Sequence, residues 1–458
     1  MKIDSHSKIP LYLQVYEFYK EKIVQGEFKS GEKLPSKRQL SETLGISINT
    51  VSKAYYLLEE EGFINPKERS GYFVEQLNNS FSKKVPTKVY ENSTTETFKA
   101  KYDFSSSSID TELFPYYTFS KLYKEVIESE NENILINSET NGKLEFRKSI
   151  SKYLRETRGL DTNPENIVIS SGMEYLFEII FYIFSNDKTF GIENPGYDIL
   201  PSMIESRGFD FKSINISKEG IDISSLLKSN IDLLCVTPSH QFPTGNIMSI
   251  NNRLEVLNWA NSKTSRYIIE DDYDSEFKYV GKPIDPLKKL DTKDKVIYLG
   301  SFSKSLAPSL RISYMILPSS LIKILKEDAP FFICSVPVIE QIVMAKFIGN
   351  GHFERHLNKM RRIYKKRREL LIENLSKKNK VLDISGADSG LHIVVEFETD
   401  KTDEEILEKA KDKGIKIQSL SEFFNDKNST SKSKFLLGFG GLSKDDLEEG
   451  VNELLRII

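Results

Sequence analysis

The stretch Val296-Ile297-Tyr298-Leu299-Gly300-Ser301-Phe302-Ser303-Lys304-Ser305-Leu306-Ala307-Pro308-Ser309-Leu310-Arg311 decides how this chain is read. Its first four residues are apolar and bounded by Gly, the pattern of a strand buried on both faces. Most lysines are simply solvated, so Lys304 is judged by its place just past such a strand, where open parallel sheets bind their ligands. A lysine held there loses solvation and can form an imine with an aldehyde. The hydroxyls of Ser301 and Ser303, with the Arg311 guanidinium, suit a phosphate.

Outward from that stretch the pattern repeats. Ile167-Val168-Ile169, Leu233-Leu234-Cys235-Val236 and Tyr267-Ile268-Ile269 are short apolar runs with helical patterns between them, such as Leu254 to Ser262. This alternation predicts a mostly parallel sheet covered by helices. Tyr267-Ile268-Ile269 leads into Glu270-Asp271-Asp272-Tyr273, and a carboxylate at a strand end can keep a pyridine nitrogen protonated. Ser170 is followed by Ser171-Gly172-Met173-Glu174 and a helical run, whose first backbone N–H groups suit a phosphate. Tyr197 follows Pro195-Gly196 on a turn and suits stacking on a flat ring. Thr237 to Gly245, with His240 and Gln241, adds polar groups at a fourth strand end. Taken singly, Tyr197 reads as packing, His240 as a local hydrogen-bonder and Asp271 as a surface or capping acid. Their recurrence after separate strands joins them. No metal centre is expected.

The 458 residues correspond to roughly three folding units at about 150 residues each. Lys and Arg number 64 against 67 Asp and Glu, so any nucleic-acid surface must be local. Hydrophobic residues at 39% exclude global disorder. The longest apolar run, Tyr175 to Phe184, contains Glu178 and falls short of the ~20 residues of a membrane span. The start lacks an apolar signal core, and Cys235 and Cys334 are too few for a disulfide framework. A cytoplasmic location is expected.

Residues 1–75 carry a different pattern. Leu11, Val15, Tyr16, Tyr19 and Ile23 recur at helical spacing; Ser36 can cap a second helix over Lys37 to Thr43; Ser47 opens a third with Val51, Tyr55 and Leu58 as its stripe. Two short helices joined by Leu44-Gly45-Ile46 form a helix-turn-helix, and Phe63-Ile64 with Tyr72-Phe73-Val74 make a hairpin, or wing, with Gly71 near its tip. Asn49, Thr50, Ser52 and Lys53 lie where side chains reach base edges and phosphates in a major groove. The competing reading is a small helical interaction domain, since the segment carries 11 basic and 11 acidic residues. The acids Glu59-Glu60-Glu61, however, lie far from Lys37, Arg38 and Lys53. Residues 76–100, rich in Ser, Thr, Asn and Lys, read as a linker.

Pro10-Leu11-Tyr12, Gly31 to Arg38, Leu44-Gly45-Ile46-Ser47 and Asn49-Thr50-Val51 resemble the winged helix of GntR-family bacterial regulators. The resemblance implies DNA contacts from Ser36, Arg38, Ser47, Asn49, Thr50 and Lys53, with Gly71 in the wing. Residues 101–458, through Gly172, Tyr197, Asp271, Lys304, Arg311 and Asn141-Gly142 upstream, resemble the fold-type I aminotransferases. That resemblance implies pyridoxal 5′-phosphate as cofactor, Lys304 as its Schiff-base lysine, Asp271 as the pyridine-nitrogen partner and Tyr273 as donor to the ring hydroxyl. It further implies Tyr197 as the stacking ring, Ser171, Gly172, Met173, Ser301, Ser303 and Arg311 around the phosphate, and His240 or Gln241 near the place of an asparagine. The expected fold is a winged helix-turn-helix followed by an α/β transferase fold of type I, with a smaller C-terminal α+β subdomain from about 335. Such a fusion resembles the MocR subgroup of GntR-family regulators, which implies promoter DNA and a small amine or amino acid as partners, a head-to-tail homodimer, and sensing in preference to turnover. A working aminotransferase with an accessory DNA-binding module is the alternative, and a DNA-binding protein with an empty pocket is a third.

The sequence departs from the aminotransferase pattern in one respect. Aminotransferases clamp a substrate carboxylate with an Arg of the smaller subdomain, but none occurs between Arg368 and Arg456. Glu422 lies about where amino-acid-sensing relatives carry such a group; a lysine such as Lys432 or Lys434 could substitute, or the ligand is the cofactor itself. The basic run from His352 to Arg368, with eight Lys/Arg, is read as a solvated helix face, or else as a surface that attracts DNA.

Overall fold

In the computed structural model, which describes residues 3–5, 7–77, 98–281, 284–377, 379–425 and 433–458, the chain forms two units, 1–97 and 98–458. The linker expected at 76–100 lies mostly outside the described residues, as does Lys432.

The first unit holds α1 (Leu11–Val24), α2 (Lys37–Leu44) and α3 (Ile48–Glu60). Ser36 Oγ accepts from the Gln39 N–H and Ser47 Oγ from the Thr50 N–H, satisfying otherwise orphaned donors at two helix starts. Gly45 makes the turn between α2 and α3 at φ 65°, a conformation that costs glycine little. Val51, Ala54, Tyr55 and Leu58 of α3 are buried with Val15 and Tyr19 of α1; burial of a side chain such as Leu58 contributes about 1.5–3 kcal/mol. The hairpin pairs β1 (Ile64–Lys67) with β2 (Gly71–Val74) in antiparallel register. Its first strand runs through Pro66 and Lys67, beyond the expected Phe63-Ile64, because a two-stranded ribbon leaves an edge where proline's missing N–H costs no ladder bond.

The second unit begins with β3 (Tyr102–Asp103). Its main sheet contains β4 (Ile167–Ser170), β5 (Thr189–Asn194), β6 (Asp210–Ser217), β7 (Gly220–Ile221), β8 (Leu233–Val236), β9 (Tyr267–Asp272), β10 (Val296–Ser301) and β11 (Ser313–Ile316), in the order β4-β11-β10-β9-β8-β5-β6-β7. The five strands β10, β9, β8, β5 and β6 pair in parallel, while β11 is antiparallel to both β10 and β4. The C-terminal ends of β4, β5, β8, β9 and β10 therefore share one edge of the sheet. Alternate residues face opposite layers, as a period of two requires. Ile167, Ile169 and Tyr298 join one core with Phe146, Ile150 and Phe353, whereas Val168, Ile297 and Leu299 join another with Leu176 and Ile180.

The smaller sheet is β12 (Val381–Ser385), β13 (His392–Phe397), β16 (Lys434–Gly438) and β15 (Gln418–Ser419), while β14 (Ile415–Lys416) pairs with β3. The basic run lies on a helix, His352–Ser376. It is only partly a solvated face. The guanidinium of Arg361 donates to the Glu276 carbonyl (2.6 Å), that of Arg367 to Gly440 (2.8 Å) and that of Arg368 to Ala387, while Arg355, Lys359, Arg362, Lys365 and Lys366 are exposed. Among the described residues, no helix is long and apolar enough to cross a membrane.

Candidate functional site

The strand ends of the main sheet open into a cavity that is continuous with solvent. Lys304, Asp271, Tyr273, Tyr197, Gly172, Met173, Ser301, Ser303 and Arg311 all line it. Lys304 follows β10, and its Nζ donates to the Ser106 carbonyl at 2.6 Å. Burial lowers its pKa to about 8, with Asp274 opposing the shift. With a pKa near 8, roughly a tenth of Lys304 is free amine at pH 7, far more than an ordinary solvated lysine presents.

The three acids at the end of β9 have separate tasks. Glu270 is fully buried and accepts from the N–H groups of Leu287 (2.7 Å) and Lys288 (2.8 Å). Asp272 faces away from the cavity, pairs with Arg158 at 2.7 Å and accepts from the Tyr298 hydroxyl at 2.5 Å. Asp271, between them, turns the other way. Its Oδ1 is buried and, among the described residues, has no hydrogen-bond partner. Burial first, then the neighbouring carboxylates Asp272, Asp274, Glu193 and Glu270, push its pKa up to about 8. Among the described residues no cation pairs with it.

On the opposite side, Gly172 caps the helix Met173–Ile183 at φ 109°. A Cβ there would lie 2.2 Å from Arg311 Nη2. Arg311 pairs with Glu174, both side chains being half-exposed. Ser301 Oγ lies 3.0 Å from Ser303 Oγ and 3.1 Å from Ser313 Oγ, and accepts from the Ser303 N–H at 3.1 Å. These hydroxyls, Arg311 and the helix start converge on one corner of the cavity. Tyr197 is 40% exposed on its turn, with its pKa raised to about 12 by burial and nearby acids.

Ser171, His240 and Gln241 are not among the lining residues. The Ser171 N–H donates to Ser335 Oγ at 2.9 Å. Gln241 donates to the Pro195 carbonyl at 3.0 Å and to Glu193, and accepts from Thr244 Oγ1 at 2.6 Å, so its amide is consumed in bracing the loop. His240 stands behind Tyr273, with Nδ1 3.0 Å from the Tyr273 hydroxyl and 2.9 Å from Asp274 Oδ2. The place expected for His240 or Gln241 on the wall is taken by Phe242 and Thr237.

Ser106, Ser107, Glu174, Pro308, Ser313 and His392 also line the cavity. The signal for His392 was a lone polar residue opening the apolar run of β13; Ser106 and Ser107 carried none. The Nε2–H of His392 donates to the Pro243 carbonyl at 2.9 Å, and burial holds its pKa well below the usual range. His240, Asp274 and His392 bring possible ligand atoms within 4.8 Å of one another, but His240 Nδ1 and His392 Nε2 are already engaged. Glu422 does not line the cavity: its carboxylate accepts from the Ser419 N–H at 2.9 Å, closing a capping box. Lys434 pairs with Glu396 at 3.1 Å.

In the first unit, Ser36, Arg38, Ser47, Asn49 and Lys53 are exposed, and Lys37, Thr50, Ser52 and Gly71 are half-buried. Thr50 Oγ1 lies 2.8 Å from Ser47 Oγ. Lys53 Nζ sits 4.0 Å from the Tyr12 ring centre, which carries the positive charge on the outer face of α3. Arg38 pairs with Glu42 at 3.3 Å in nearly full solvent, a contact worth little against a phosphate.

Two family models match the chain: "Bacterial regulatory proteins, gntR family" over residues 11–74 and "Aminotransferase class I and II" over residues 102–453. The HTH-type transcriptional regulator YdeL of Bacillus subtilis is 37% identical over 97% of this chain and 96% of its own. The probable rhizopine catabolism regulatory protein MocR of Rhizobium meliloti is 28% identical over 99% and 94%. Among solved structures, a kynurenine aminotransferase of Pyrococcus horikoshii covers 79% of this chain and 91% of its own at 24% identity, with a TM-score of 0.70, a likeness of fold. A GntR-type winged helix joined to a class I and II aminotransferase domain, over nearly the whole length of such regulators, makes this chain a member of the MocR subgroup of the GntR family.

Proposed function

We propose that this chain is a cytoplasmic transcriptional regulator: residues 1–75 bind promoter DNA, 76–100 link, and 101–458 hold pyridoxal 5′-phosphate, with or without an amine ligand, to change DNA affinity or geometry. The observation that carries the cofactor half is Asp271 Oδ1, a buried acceptor with no partner among the described residues, lining the same cavity as a lysine whose pKa burial brings down towards neutrality.

The residues present fit the group. A protonated ring nitrogen gives Asp271 the donor it lacks. Tyr197 offers a ring face, and the Tyr273 hydroxyl, braced by His240, can donate to a ring oxygen. Gly172, Met173, Ser301, Ser303 and Arg311 suit the phosphate, because the backbone approaches closely at Gly172 and the helix start favours an anion. Bound there, pyridoxal 5′-phosphate supplies an aldehyde with which a primary amine condenses, releasing water. Lys304 provides that amine, and the cavity walls hold the plane of the ring.

The exposed side chains of Tyr116 (63%) and Tyr117 (84%), at the start of the helix Tyr116–Glu130, and of Leu135 (82%) and Ile136 (63%), beyond its end, are apolar surface that a second copy as partner would cover. A head-to-tail homodimer would present paired winged helices to paired half-sites. The intact Lys304, Asp271 and Tyr273 set also favours a second reading, turnover of an amino donor with a keto acid, and a coupled transamination assay tests it.

The deciding experiment records the visible absorbance of full-length protein with added pyridoxal 5′-phosphate, alongside retention of a promoter fragment. The expected outcome is a visible band and cofactor-dependent retention, both lost in Lys304→Ala. Retention that responds identically in wild type and Lys304→Ala would sink the proposal.

A further inference from the structure

The wall beyond Lys304 bears on what an arriving amine carries behind its nitrogen. Resting on the reading above, that an amine ligand enters this cavity, we propose that the ligand is a primary amine with an uncharged, apolar tail, and not an amino acid.

The first observation is the charge on the wall. Among the described lining residues the cations are Lys304 and Arg311 alone. Arg311 is paired with Glu174 at the phosphate corner, beside Gly172. Lys304 is the reacting amine. The carboxyl groups of the wall are those of Asp271 and Glu174. A ligand carboxylate would therefore give up part of its hydration to a wall whose described residues offer it no uncommitted cation, and an unpaired ion is costly to desolvate.

His392 does not supply the missing charge. Its Nε2–H is given to Pro243, so the other ring nitrogen presents a lone pair, which repels a carboxylate. The Ser106 carbonyl that receives Lys304 Nζ is another acceptor. The hydroxyls of Ser106 and Ser107 can donate, but without charge.

The second observation is positive. Phe242 is a hub of edge-to-face contacts, with ring centres 6.3 Å from Tyr197, 6.0 Å from Tyr273, 5.8 Å from His392 and 5.1 Å from Phe423. Behind it, Val394, Leu420, Phe423 and Leu436 form a buried apolar cluster. A tail lying against Phe242 meets ring and hydrocarbon, which reward an apolar group.

The test uses full-length protein loaded with pyridoxal 5′-phosphate and two probes that differ only in a carboxylate, 2-phenylethylamine and L-phenylalanine. Each is titrated while the visible absorbance and the thermal midpoint are followed. The expected result is half-saturation by 2-phenylethylamine at a concentration at least ~10-fold lower, equivalent to about 1.4 kcal/mol. Equal or tighter binding of L-phenylalanine overturns the inference, and so does a band that neither probe perturbs. Absence of any band on adding the cofactor would instead overturn the proposed function. Ser107→Arg adds a guanidinium at an exposed position of the wall. It should narrow the preference several-fold, and an unchanged ratio would refute the charge argument even if the probes differ in wild type.

Discussion

Asp271→Asn separates the cost of the empty site from its use. In the cofactor-free fold, Asp271 has its pKa raised from 3.8 to about 8. The folded chain therefore keeps a proton that the unfolded chain releases between about pH 4 and pH 8, and stability falls as pH rises through that window. At about 1.36 kcal/mol per pH unit the cost reaches roughly 4 kcal/mol at pH 7 and stops growing above about pH 8. Asparagine does not titrate, but its amide inherits the buried position of the orphaned oxygen, a penalty of about 1–3 kcal/mol that is independent of pH. The variant should thus be close to wild type or weaker at pH 5, and about 1–3 kcal/mol more stable at pH 7. Glu193, Glu270 and Glu276, each raised to about 7 by burial, titrate in the same range. They share the wild-type slope, so the difference between the two proteins is the quantity to read. Trp259 is the chain's single tryptophan and is buried in the larger unit, so urea unfolding followed by its fluorescence reports that unit alone. With pyridoxal 5′-phosphate added, the order reverses: losing a charge-assisted bond to the ring nitrogen should weaken binding by about 10- to 100-fold. A stability difference that does not change between pH 5 and pH 7.5 would refute the account of Asp271.

Three further outcomes are expected. Gly172→Ala places a Cβ 2.2 Å from Arg311 Nη2 at a φ of 109°, so pyridoxal 5′-phosphate affinity, measured by absorbance titration, should fall at least ~10-fold through displacement of Arg311 and strain at the helix start. Glu174→Gln should act oppositely: the half-exposed Arg311–Glu174 pair is worth at most about 1 kcal/mol, so releasing Arg311 to the phosphate should tighten inorganic phosphate or cofactor binding by no more than about 5-fold, read by calorimetry. In the winged helix, Arg38→Ala should weaken binding to all fragments alike and lower the salt slope by about one, while Asn49→Ala should flatten the preference at one base pair by about 1–3 kcal/mol, both measured by anisotropy at several salt concentrations.

The sheet was legible because its strands are buried on both faces and therefore appear as unbroken apolar runs, as in Val296 to Leu299 and Leu233 to Val236. Helix starts were less legible where the first residues were polar. The helix expected from Leu254 begins at Ile250, capped by Ser249, which accepts from the Asn252 N–H at 3.3 Å. The polar sequence Ile250-Asn251-Asn252 concealed that first turn. Nothing local marked Ser106 or Ser107 either; they reach the cavity because β3 joins the smaller subdomain through β14 and the chain then passes Lys304.

The site was legible where the backbone alone settles direction and illegible where a distant side chain does. Alternation along β9 requires Asp271 and Asp272 to face opposite ways, but it does not say which faces the ligand. Arg158, at the end of the helix Leu144–Arg158, decides that by pairing with Asp272 from more than a hundred residues away. The same logic separates Phe242 from His240 and Gln241. All three lie in one polar-looking loop, and composition favours the histidine and the amide as ligand contacts. Glu193 on β5 and Asp274 beyond β9 claim those two side chains, and a buried carboxylate that needs donors outcompetes a wall position open to water. The ring left over, Phe242, then faces the cavity. The residue that looked least chemical in the loop sets the character of the surface a ligand meets.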